Sequence, residues 1–179
     1  MPSVRDFALH LQIDKSAHEL YYHLDDLTVI QPCHLLKMRC VEELEEIEKS
    51  EKVRITEIHI VDDKPRLEYP IERWIKVLDH KGRPNWTEFF DYIRRHLVDS
   101  GLTLEITSPY AHMLLDIIES VTFACIRMRS CGEKTGRFLK KQMGYGGLRK
   151  LEMLGKWSPE ELEVLEGIGI DCGVVREAN

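Results

Sequence analysis

Hydrophobic residues recur every second position at the start of the chain. Phe7, Leu9, Leu11 and Ile13 alternate with Ala8, His10 and Gln12, the period of a half-buried strand. Asp14 is placed to cap a short helix over KSAHELYYHLDDL, with Leu20, Tyr21 and Leu24 turned inward. A less periodic link comes next, LTVIQPCHLLKMRC. Val41 to Lys52 then reads as a helix whose apolar positions are only Val41, Leu44 and Ile47, so most of its faces are solvated.

Val53–Val61 is rich in β-branched residues and is followed by a turn at Asp62-Asp63-Lys64-Pro65. Arg66–Leu78 resumes a strand-like pattern, and the two segments predict an antiparallel hairpin with Pro70 on an edge or bulge. Asn85 caps a helix over WTEFFDYIRRHLVDS that stops before Gly101. Thr103–Thr107 is a short strand. Ser108 and Pro109 open the longest apolar segment, predicted as a central helix ending near Gly132. Glycines at 136, 144, 146, 147 and 155 divide the next stretch of chain into short helical pieces. Ser158-Pro159-Glu160-Glu161 starts a last helix. The fold class this predicts is α+β. A small antiparallel sheet (the hairpin near 53–78 plus edge strands) packs against several helices, and a helix-rich C-terminal half surrounds a central helix near 109–130.

Composition fits one domain, 1–179. A chain of 179 residues buries roughly 70% of its unfolded surface, enough to fold without a disulfide or metal. The N-terminus has no apolar run long enough for a signal peptide, and Asp116 and Glu119 interrupt the apolar segment, so no membrane span is expected. Five cysteines without framework spacing predict free thiols in a reducing compartment, cytoplasmic or nuclear.

Charge changes the picture more. The net charge is −6, yet residues 127–157 hold nine Lys or Arg against two Glu, a local +7 that leaves −13 elsewhere. Arg127, Arg129, Lys134, Arg137, Lys140, Lys141, Arg149 and Lys150 form a basic helical subregion able to pair phosphates. Phe138 and Tyr145 are interleaved as stacking rings. Phe123, centred in a polar stripe of the expected central helix, is a partner contact unless another segment of the chain covers it.

Catalytic motifs are missing. His18 and His23 resemble a zinc-protease pair but are one residue too far apart, which sets their rings about 140° apart on a helix. The cysteines lack knuckle spacing, so no metal and no cofactor is expected. No nucleophile elbow occurs, and Gly144-Tyr145-Gly146-Gly147 lacks the lysine and serine of a phosphate loop. The function expected is non-enzymatic binding of RNA or DNA through the basic surface, in a homo-oligomer. The alternative is a protein–protein adaptor or self-assembling protein that joins acidic and basic poles. Below it stands a metal-dependent nuclease using Asp62, Asp63, Glu68, Glu72 and Lys76 of the hairpin.

Overall fold

The computed structural model describes residues 3–28, 40–62 and 74–167, and the pairing of a last strand over 175–178. Its class is α+β. Eight strands form one mixed sheet in the order β4-β2-β1-β3-β5-β6-β7-β8. They are β1 (Val4–Asp14), β2 (Glu19–Asp26), β3 (Lys52–Val61), β4 (Ile75–Lys76), β5 (Thr103–Ile106), β6 (Cys125–Met128), β7 (Lys150–Leu154) and β8 (Val175–Ala178). Five helices are described: α1 (Val41–Glu48), α2 (Trp86–Arg94), α3 (His112–Ile118), α4 (Glu133–Tyr145) and α5 (Pro159–Gly167). Among the described residues no helix is long and apolar enough to cross a membrane.

Only β2 runs against its two neighbours, β1 and β4; β1, β3, β5, β6, β7 and β8 are mutually parallel. From β5 onward each strand is followed by a helix and then by the next strand on the same side, so the chain advances in one direction. Crossovers that repeat in one direction put their helices on one face of a sheet. The core agrees. Ile58, Ile60, Leu104, Ile106, Ile126, Met128 and Leu151 project from the strands into a cluster that takes in Leu44, Phe90, Ile93, Leu115, Leu139 and Leu165 of the helices. The other face of the sheet is polar.

Several expectations hold because their signals are local. Asn85 caps α2 by accepting a hydrogen bond from Glu88 N at 3.3 Å, and Phe89, Phe90 and Ile93 are its buried face, although the helix ends at Arg94 rather than just before Gly101. Ser158 Oγ accepts from Glu161 N at 3.2 Å at the start of α5. Strand β3 forms where its β-branched residues predict it. Its apolar alternation slips by one residue between Ile55 and Ile58, and the register against β1 shifts there, Phe7 opposite Ile55 and Ala8 opposite Glu57. Thr56 is thus the extra residue of a bulge, and the slip keeps Val53, Ile55, Ile58 and Ile60 all on the core side.

Three expectations are corrected. The segment after Asp14 is a strand, not a helix. Asp14 Oδ1 accepts from Ser16 N (3.1 Å) and Ala17 N (3.3 Å) in a turn, and the chain returns as β2 with Leu20, Tyr22 and Leu24 buried. The hairpin near 53–78 does not form either, because both neighbours of β3 are parallel strands, β1 and β5. Of its second arm, β4 pairs with β2, while residues 63–73, Pro70 included, lie outside the described residues. Last, the central helix near 109–130 stops at Ile118. Ser108 Oγ accepts from Tyr110 N (3.1 Å) in an opening turn, and the helix begins only at His112. Residues 125–128 instead form β6 between β5 and β7, with Ile126 and Met128 inward. The basic subregion is accordingly part strand, part helix. It spans β6, α4 and β7, and α4 runs unbroken through Gly136 and Gly144 to Gly146, whose φ of 76° closes it in the left-handed conformation.

Candidate functional site

One row of side chains crosses the polar face. Strand pairing sets His23 (β2) beside His10 (β1), His59 (β3), Glu105 (β5), Arg127 (β6) and Glu152 (β7). Each is an outward position on an alternating strand, and neighbouring strands lie about 4.8 Å apart, so each side chain meets the next.

At one end the row is a stack of imidazoles. His10 lies flat on His23, centroids 4.3 Å apart and planes within 6°, and His59 covers the other face of His10 at 4.7 Å. Trp74 closes the stack, edge to face on His23 at 4.3 Å. Asp25 lies opposite Ala8, whose methyl group leaves it room to reach the stack. Its Oδ2 is 2.8 Å from His10 Nε2, and its Oδ1 is 3.5 Å from His23 Nδ1. Burial alone would raise the pKa of Asp25, but the two imidazoles beside it hold it well below the ordinary carboxylate range. Burial dominates at His10 and lowers its pKa. His59 is also pulled down by burial, yet Glu105, 2.6 Å from its Nδ1, together with Glu57 outweighs that and raises it.

The other end of the row is open. Side-chain exposure is 2% at His23, 24% at Glu105 and 38% at Arg127, and drops again at Glu152, which is buried beneath its cationic neighbours. The charges alternate there. Arg127 Nε pairs with Glu152 Oε2 at 2.9 Å, and Lys150, two residues before Glu152 on β7, reaches the same carboxylate. Lys150, before the other causes, depresses the pKa of Glu152.

The basic residues do not share one surface. Arg127 and Lys150 lie on the sheet face. Arg129, beyond the end of β6, is 3.9 Å from Asp62. Lys134, Arg137, Lys140 and Lys141 are exposed along α4, where Arg137 pairs with Glu133 and Lys141 Nζ with Glu119 at 2.7 Å. Arg149 and Tyr145 are exposed near the end of that helix. Phe138 is 3% exposed and faces the core, so it is no stacking ring. Phe123 is wholly buried against Phe138, with centroids 6.2 Å apart, and the expectation of a partner contact there is corrected. Its backbone N donates to Gln142 Oε1 at 3.0 Å.

The carboxylates expected of a nuclease do not gather. Asp62 follows β3, whereas Lys76 is on β4, on the far side of β1 and β2 in the sheet, and is tied to Glu19 at 2.7 Å. Asp63, Glu68 and Glu72 lie outside the described residues. The row itself is what sequence reasoning misses. The alternation of His10 in β1 and His59 in β3 is visible in the sequence, but a helical reading of the segment after Asp14 hides the face that His23 and Asp25 share with them. No family model, curated protein or solved structure matches this chain.

Proposed function

We propose that the chain is a non-enzymatic protein-recognition module, an adaptor whose partner docks on the open half of the polar sheet face. The observation that carries this reading is the row Glu105–Arg127–Glu152 on three adjacent parallel strands, on the side opposite the helices, with the cations Arg127 and Lys150 exposed around a buried Glu152. One-directional stacking of strand–helix units leaves a continuous polar surface of this kind, and such surfaces suit extended protein contacts. Alternating signs at fixed spacing select a partner of matching alternation and repel a uniformly charged one. That disfavours nucleic acid on this face. The free thiols among the described residues, Cys40, Cys125 and Cys131, support a reducing cytoplasm or nucleus.

RNA or DNA binding is the second reading and keeps one observation, the four cations on the outer side of α4. Affinity capture on the two surfaces separates the readings. Arg127→Gln with Lys150→Gln abolishes capture of the protein partner, and circular dichroism checks that the fold survives the loss of both cations beside the buried Glu152. Lys140→Glu with Lys141→Glu leaves that capture intact. The opposite pattern, with capture that is nuclease-sensitive and lost steeply with salt, would overturn the adaptor reading in favour of nucleic acid. A native mass of two or more chains, lost on neutralising the sheet-face cations, would make the partner a second copy.

A further inference from the structure

We infer that the covered end of the row is a site for a zinc-type divalent cation, held by His10, His23 and Asp25. It does not rest on the adaptor reading, since it concerns the opposite end of the row and a different ligand.

The donor set is the starting point. Among the described residues these three form the group whose potential ligand atoms all lie within 4.8 Å of one another. Two imidazole nitrogens and one carboxylate suit zinc, and three protein ligands leave a fourth position for water or a partner's side chain. Spacing is the second observation. Donors bound at about 2.0–2.1 Å to a tetrahedral ion stand roughly 3.4 Å apart. His23 Nδ1 and Asp25 Oδ1 are 3.5 Å apart, long for a hydrogen bond and suited to two ligands of one ion.

The burial of the carboxylate adds to this. Asp25 is 7% exposed, and its Oδ1 is fully buried and accepts no well-formed hydrogen bond. A buried carboxylate oxygen in that position is costly unless a cation or donor meets it. The site is also built to hold its rings. Trp74 fixes His23 from one side, and His59, itself anchored by Glu105, backs His10 from the other.

One movement is required. An imidazole binds an ion in its own plane, and parallel rings cannot both aim at a single ion. His10 must therefore tilt out of the stack and exchange its 2.8 Å hydrogen bond with Asp25 for a bond to the metal. Of the two rings His10 has the more exposed side chain, 20% against 2% for His23, but it lies between His23 and His59, so its tilt must also displace a stacked neighbour.

The test titrates the full chain, stripped with a chelator, with Co2+ and then Zn2+. One equivalent of Co2+ should give the visible absorption of a tetrahedral site, Zn2+ should displace it, and the unfolding midpoint should rise with metal. His10→Gln and Asp25→Asn should each weaken binding by about a hundred-fold or more, since even partners behind the ligands are worth about 10–100-fold. Circular dichroism checks the fold, and if Asp25→Asn unfolds, His10→Gln at the exposed side carries the comparison. A wild-type chain that shows neither the absorption nor the shift overturns the inference. So does undiminished binding in His10→Gln, which would assign the metal to surface histidines. Neither result touches partner capture at Arg127, so the two proposals fail separately.

Discussion

The two halves of the sheet bury different chemistry beneath the same architecture. Among the described residues before residue 100, the buried polar side chains are Gln12, His23, Asp25, Asp26, Asp79 and His96, five of them titratable. After it they are Ser108, Gln142 and Glu152, and only Glu152 titrates. The C-terminal half is a regular advance of strand and helix whose inward face is almost wholly apolar, while its charges, Glu152 apart, stand exposed on the sheet face and along α4. The N-terminal half combines antiparallel and parallel pairing, bulges between β1 and β3, and takes charge inside. The difference separates how each half fails. The C-terminal half should yield to lost volume, and the N-terminal half to protons.

The largest effect expected is at Phe123. The ring is fully buried against Phe138, so Phe123→Ala removes apolar contact and leaves a cavity worth about 3–5 kcal/mol. That is a large part of the roughly 5–15 kcal/mol typical of a domain. Urea unfolding reads it directly. A loss under about 1 kcal/mol would mean that the ring is dispensable to the core, and the contrast between the halves would collapse.

Gln142 comes next and breaks the same half differently. Wholly buried, it accepts from Phe123 N at 3.0 Å and donates through Nε2 to Val121 O at 2.7 Å, clamping the link between α3 and β6 onto α4. Gln142→Leu keeps the volume but strands the buried donor Phe123 N and the part-buried acceptor Val121 O, for about 1–3 kcal/mol. Gln142→Glu keeps an acceptor for Phe123 N and loses the donor to Val121 O. If the leucine variant is as stable as wild type, the clamp is not what holds that link.

That clamp also shows why the central segment misleads as a sequence. Tyr110 to Met128 is apolar almost throughout, and density of this kind serves a buried helix or a central strand equally well. The choice falls to partners far along the chain, with β5 and β7 taking Cys125–Met128 into the sheet and Gln142 fixing the turn. Asn85 and the α2 pattern, by contrast, are legible because a cap and its helix lie within a few residues of each other. The site divides in the same way. The charge of the basic run can be read from sequence, but not its distribution, because outward alternation sends Arg127 and Lys150 to the sheet while helical period turns Phe138 inward. The histidine cluster is hidden for a further reason: testing His18 and His23 at helix spacing cannot reveal His23 beside His10 on paired strands.

The smallest effect expected is a pH slope at His96, and it tests the N-terminal half. His96 is 4% exposed, with Nδ1 2.9 Å from Glu48 Oε1. Burial lowers its pKa, opposed by the charges of Glu48 and Glu45 and assisted by Arg95. With a folded value below the unfolded one of about 6.5, the unfolded chain binds more protons in between. The contribution of His96 is therefore complete above about pH 6.5 and drains away as pH falls through the folded value. Unfolding midpoints measured from neutral to mildly acidic pH should fall less steeply for His96→Asn than for wild type. Phe123→Ala, although far less stable, should keep the wild-type slope because its damage lies where almost nothing titrates. An unchanged slope in His96→Asn, or a flattened one in Phe123→Ala, would show that the two halves do not divide protons from volume in this way.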